Sequence, residues 1–198
     1  MNVNYPNKQK LTSTARTQTD LSKIMQKLTC DVLGIIPPDY SQIRIDWPTQ
    51  GQPFQNADKD IGYIACVLED GPYSRIRERQ YESDNSGVTE IWTYTRIWRI
   101  SWVLYGPNSF DRTRALHSAL YMDYFNDVLN GYSLFPVADT ALPLRIPEQL
   151  NAQWFERSDF YIILYEGVNE TIQDGIAKSV EVLVEDKSGQ LADITVST

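Results

Sequence analysis

Apolar and polar positions divide the chain into segments of different period. Residues 1–18 are polar, lack periodicity and hold Lys8, Lys10 and Arg16 but no acid; they predict a flexible arm. Leu21, Ile24, Met25, Leu28 and Val32 then recur at helical spacing, with Thr19 or Asp20 as cap and Gly34 and Pro37-Pro38 as the stop. Ile43–Trp47 alternates as a short strand, and 48–60 reads as loop. Ile61–Leu68 predicts a buried strand, stopped by Glu69-Asp70-Gly71-Pro72. Residues 75–82 are densely charged, Ser83–Gly87 is a turn, and an extended run follows from Val88 to Tyr105.

That run carries the strongest signal. Its even positions are Trp92, Tyr94, Arg96, Trp98, Ile100, Trp102 and Leu104, against a mixed odd face, as a half-buried strand requires. Eighteen residues would span roughly 60 Å at about 3.3 Å each, longer than an ordinary strand. Either a bulge or bend interrupts it, or residues 75–82 pair with 88–95 as an arm that lies on a neighbouring subunit. Trp98 and Trp102 are expected in the core, and Trp92 nearer an interface.

Beyond Gly106-Pro107-Asn108, Ser109 is expected to cap a helix whose apolar positions are Phe110, Ala115, Leu116, Ala119, Leu120, Tyr124, Val128 and Leu129, ended by Asn130-Gly131. Residues 132–153 hold three prolines and predict a long loop. Phe160–Tyr165 is a central strand, Gly167–Thr171 a turn and Ile176–Val184 a final strand; 187–198 is a tail with one short β piece at Ile194–Val196. The order is not βαβ alternation. The expected fold is α+β: a single antiparallel sheet with two helices on one face, plus a protruding hairpin arm at about 73–95, in one domain over 19–186.

Composition narrows the function. The 26 acids against 18 bases give a net charge of −8, which argues against DNA binding through a basic surface. Residues 151–198 carry three bases and nine acids, so most of the excess lies there. No apolar run approaches the roughly 18 residues of a membrane span, and no membrane partner is expected. The N-terminus lacks the apolar stretch of a signal peptide, pointing to assembly in a cytoplasm. Cys30 and Cys66 fall in apolar-periodic segments and read as buried free thiols.

Candidate chemistry is sparse. No phosphate-loop, dinucleotide, zinc-protease or C-x-x-C motif occurs, and the single histidine, His117, reads as a partly buried or interface residue. Asn56–Gly62 imitates the start of a calcium loop, but its glycine is one place late and Val67 stands where the closing glutamate belongs. Glu181, Glu185 and Asp186 could be paired carboxylates, yet a solvated strand edge has the same spacing. Neither catalytic residues nor a cofactor or metal is therefore assigned. Arg75-Ile76-Arg77-Glu78-Arg79 and Arg96/Arg99 are the local basic clusters, diluted by acids and suited to salt bridges within or between subunits. The aromatic stripe leaves a carbohydrate-binding β module open as a reading.

The segment Thr95–Asn108, ending in Tyr105-Gly106-Pro107-Asn108 with a helix directly after it, resembles the strand-to-helix junction of neck/tail terminator proteins of long-tailed bacteriophages. Ile43–Glu69 resembles that family's opening strand pair and Trp154–Val184 its closing pair, so the resemblance spans most of 20–186. It implies a non-enzymatic virion protein: a ring, usually hexameric, seated on the tail tube, ending tube polymerisation and presenting a surface to the head's connector. The implied partners are further copies of the chain, the tube protein and a neck or connector protein, with genomic DNA passing through the lumen. Arg75, Arg77, Arg79, Tyr81, Trp92, Tyr94, Arg96 and Arg99 are then expected at subunit or tube contacts, and Glu170, Asp174, Glu181 and Glu185 toward the lumen. A head-completion adaptor is the other phage reading.

Overall fold

A computed structural model describes residues 10–36, 40–45, 59–84, 87–150, 152–175, 179–185 and 191–197. In chain order the elements are β1 (Lys10–Ser13), α1 (Gln18–Val32), β2 (Ile43–Ile45), β3 (Ile61–Glu69), a 3-10 turn (Tyr73–Arg75), β4 (Arg77–Asp84), β5 (Gly87–Tyr105), α2 (Ser109–Ala119), α3 (Asp123–Asn130), β6 (Leu134–Pro136), β7 (Leu144–Arg145), β8 (Glu148–Leu150), β9 (Gln153–Phe155), β10 (Arg157–Gly175), β11 (Ser179–Glu185) and β12 (Leu191–Ser197). The class is α+β, as expected, with three helices and a mostly antiparallel sheet among the described residues. An eight-stranded sheet runs β1-β10-β5-β3-β2, with β4 also on β5 and β6 and β7 also on β10; β11-β12 and β8-β9 are separate two-stranded sheets. Only the short β2–β3 contact is parallel among the registers described.

The chain forms two compact units. The larger comprises Thr14–Arg77 and Thr93–Val168, the smaller Met1–Ser13, Glu78–Trp92 and Asn169–Thr198. The core lies in the larger unit, and strand alternation builds it. Trp98, Ile100, Trp102 and Leu104 of β5, with Phe160, Ile162 and Leu164 of β10, are buried against Leu21, Met25 and Leu28 of α1, Leu116 of α2 and Phe125 and Leu129 of α3. Trp102 stacks on Phe160 at 5.2 Å, and its Nε1 donates to Thr29 Oγ1 on α1 at 2.9 Å. Both tryptophans expected in the core are there, at 2% and 1% exposure, so no exposed triple-Trp platform exists for a sugar. Cys30 and Cys66 are buried, as expected, and are not joined in a disulfide.

Several boundaries differ from the expectation. Helix α1 starts earlier, capped by Thr17, whose hydroxyl accepts from Asp20 N at 3.1 Å. The second predicted helix is two. Continued in phase past Leu116 and Leu120, it would turn Asp123 and Asp127 toward the core; the break at 120–122 rephases the chain so that Phe125 and Leu129 are buried instead. Asn126 Nδ2 secures that corner by donating to the carbonyls of Leu120 and Met122, at 3.1 and 3.2 Å. Ser109 is the first helical residue and not the cap.

The turn expected at 167–171 is strand: β10 continues through it, with Val168 buried and Gly167 N donating to Ser133 O. Lys10–Ser13, within the polar arm, pair with residues 170–173 of β10. The strand expected at 176–184 runs Ser179–Glu185 and pairs with Leu191–Ser197, a longer strand than the piece read at 194–196. Residues 1–9, 46–58 and 176–178 lie outside the described residues, and with them Asn56–Asp58 of the calcium-like stretch.

Candidate functional site

The strand that carried the sequence signal also carries the candidate surface. In the larger unit, the Arg77 guanidinium lies 4.2 Å from the centre of the Tyr94 ring, and Arg96 lies 4.7 Å from that of Trp98. Arg77, Tyr94 and Arg96 line a cleft of about 390 Å³, together with Leu68, Glu69 and Asp70. Arg75 pairs with Asp70, and its hydrogen bond holds that carboxyl below the usual carboxylate value; both side chains are exposed. Arg99 pairs with Glu69 at 2.6 Å and covers Tyr161 at 5.1 Å. In the smaller unit, Arg79 pairs with the buried Glu90 and lies over Tyr81 and Trp92 at 4.7 and 5.1 Å.

Every expected arginine of the surface therefore has a partner within its own chain. Such pairs order the side chains and leave Arg–aromatic faces of the kind enriched at protein interfaces. The sheet face opposite the helices is open in the larger unit. Val67 and Arg99 sit opposite each other on β3 and β5, and Phe135 opposite Tyr165 on β6 and β10. Val67, Phe135 and Tyr161 are each about half exposed.

Of the acids expected toward a lumen, Glu170 lies opposite Ser13 in the β1–β10 register, with Ser13 Oγ donating to it at 3.5 Å. Asp174 is near the end of β10. Glu181 and Glu185 are in β11, opposite Thr195 and Leu191. His117 lies in the last turn of α2, edge-on to Tyr121 and Phe160 at 5.5 and 5.7 Å.

The Tyr105-Gly106-Pro107-Asn108 junction has a specific geometry. Gly106 has φ +108°, and a Cβ there would fall 2.5 Å from Asp60 Oδ1 and 2.7 Å from Asp60 Cα. That close approach lets Asp60 accept from Asn108 N at 3.0 Å and from Asn108 Nδ2 at 2.8 Å. Arg112 approaches the same carboxylate at 3.4 Å. A carboxylate just ahead of β3 thus supplies the negative charge at the start of α2, which suits the helix dipole. Gly106 N donates to Glu156 O at 3.0 Å, closing the junction from the other side.

The family described as phage neck terminator protein matches residues 19–187. The chain belongs to this family. It is accordingly a structural phage protein of the neck, a virion component that works with other head and tail proteins. No curated protein matches the sequence significantly. The matched span begins at α1 and ends just after β11, so it contains the Gly106 junction but neither β1 nor β12.

Two features of this neck terminator escaped the sequence reading. Glu166, 1% exposed, accepts from Trp98 Nε1 at 2.7 Å and from Arg16 N at 2.9 Å, with Arg96 at 3.5 Å. Arg96 also donates to Arg16 O at 3.0 Å, and Arg16 Nη2 donates to Tyr132 O at 2.6 Å. The segment entering α1 is thereby fixed to the sheet. The available signal was alternation: Glu166 shares the parity of Phe160, Ile162 and Leu164. The second feature is Tyr105, whose hydroxyl donates to Glu148 at 2.9 Å. Partial burial, then that bond to a carboxylate, push its pKa up to about 12. Arg157 links the same Glu148 to Asp159, at 3.2 and 2.7 Å. Among the described residues no helix is long and apolar enough to cross a membrane.

Proposed function

We propose that this neck terminator forms a ring, with six subunits, on the head-proximal end of the tail tube. The ring ends tube polymerisation and offers its other side to the connector of the head. It is not an enzyme, and its acidic last quarter, including Glu170, Asp174, Glu181 and Glu185, faces passing DNA without binding it. The family match over 19–187 carries the reading. Capping needs a subunit with unlike faces, one fitting the tube end and one that does not template another tube ring. A sheet whose described helices pack into one core on one face supports that requirement, as do the paired Arg and aromatic side chains of β4 and β5. Heterologous contacts that close on themselves would supply the ring.

Electron microscopy of tail tubes incubated with the purified protein tests this. The expected result is a ring at one end of each tube and an arrest of elongation, with overlong tubes when the protein is left out. Tubes of the same length distribution with and without it would refute the proposal.

A further inference from the structure

The larger unit carries a large exposed aromatic side chain and, elsewhere on its surface, a small apolar pocket. Trp154, on the β8–β9 hairpin, is 64% exposed, and Leu142 and Leu144, earlier in the same stretch of chain, are exposed at 74% and 63%. So large an exposed apolar group in one short stretch marks an interaction site. The hole lies between the α2–α3 corner and the chain after β6. It has a volume of about 250 Å³ and is lined by Leu120, Tyr121, Pro136, Val137 and Ala138 among others. That is below the roughly 300–1,000 Å³ of small-molecule sites, and of a size for one large side chain.

The polar lining is already engaged. Asn126 Nδ2 donates to two backbone carbonyls, and Thr140 Oγ1 donates to Val137 O at 3.1 Å. An occupant that is mostly apolar therefore fits best, and tryptophan is among the side chains enriched in well-packed pockets at the centre of interfaces. Tyr121 offers an acceptor oxygen for the one polar atom of an indole, Nε1.

We propose that Trp154 of one subunit enters the Leu120/Val137 pocket of the next. Knob and hole are different surfaces of the same chain, so the contact is heterologous and repeats identically around a closed ring. A second copy is preferred to another protein because both complementary halves are present on this chain. The inference rests on the ring reading and names the contact that closes it.

Cysteines placed beside the knob and the hole, Gln153→Cys and Asp139→Cys, leave Trp154 and the pocket intact. Cys30 and Cys66 are both 0% exposed and give no background. Under mild oxidation the double variant is expected to yield a disulfide ladder up to the full ring on a non-reducing gel, while each single variant stays monomeric. Adding Trp154→Ala should cut the ladder at least tenfold with the unfolding midpoint little changed. Rings seen by mass measurement without a ladder would overturn the contact and leave the ring reading standing. A ladder without capped tubes would support the contact and overturn the capping role. Protein that stays monomeric even on tubes would overturn both.

Discussion

Glu166 shows how one residue joins strand chemistry to chain path. Its carboxylate is buried, and three donors converge on it: the Trp98 indole, the Arg16 backbone and the Arg96 guanidinium. Removing one member of such a buried set strands the others, which costs about 3–5 kcal/mol. Glu166→Ala is therefore expected to lower the unfolding free energy obtained from urea titration by that amount, and Glu166→Gln, which keeps an acceptor, by less. Gly106→Ala should also be severe. A positive φ costs a side chain about 1–3 kcal/mol, and the new methyl meets Asp60. Gly167→Ala is the control: nothing lies within 4 Å, so its midpoint should barely move. Tyr105 gives a pH signature. Its folded pKa of about 12 lies above the ordinary tyrosine value of 10.0, so between these values the unfolded chain loses the proton first. Stability should fall as pH rises through that window, and Tyr105→Phe should flatten this part of a melting-temperature profile. Parity along β5 made the burial of Trp98 and Trp102 legible. The partners of Glu166 and Tyr105 were not, because alternation assigns a face and says nothing of what crosses it.

At the scale of elements, local pattern located the strands better than their ends. Gly167 looked like a turn because glycine permits one, yet Val168 is buried and ladder bonding carries β10 through. Tertiary burial overrode a local preference. The α2–α3 break was legible in principle, since Asp123 and Asp127 fall on the phase of Leu116 and Leu120. What no local reading could supply was Asp60, 48 positions from Asn108, acting at the start of α2. Caps of this kind contribute about 0.5–2 kcal/mol. Asp60→Ala is thus expected to destabilise by about 1–2 kcal/mol, with Arg112 also losing its partner. Hydrogen exchange should report the loss first in the opening turn of α2, ahead of the sheet; uniform loss of protection across β3 and β5 would mean that Asp60 acts on the whole unit instead.

At the scale of the molecule, the question is what the interface-type side chains of β4 and β5 contribute when each is already satisfied within the chain. Arg79 is held by Glu90 and covers both Tyr81 and Trp92. Each cation–π contact at such a site is worth about 0.5–1 kcal/mol, so removing both rings should cost the isolated chain no more than about 1–2 kcal/mol. The same rings would matter far more where a partner desolvates them, because interface aromatics commonly cost 2 kcal/mol or more on truncation. The double variant Tyr81→Ala with Trp92→Ala separates these roles. If the pair serves only the fold, its melting temperature drops a few degrees and tubes are still capped at normal length. If it meets a neighbouring subunit or the tube, the monomer stays folded by circular dichroism while capping weakens at least tenfold and overlong tubes accumulate. The second outcome is the one expected, because Tyr81 keeps 58% of its surface exposed despite its stacking on Arg79, leaving part of a large rigid ring uncovered by the described residues.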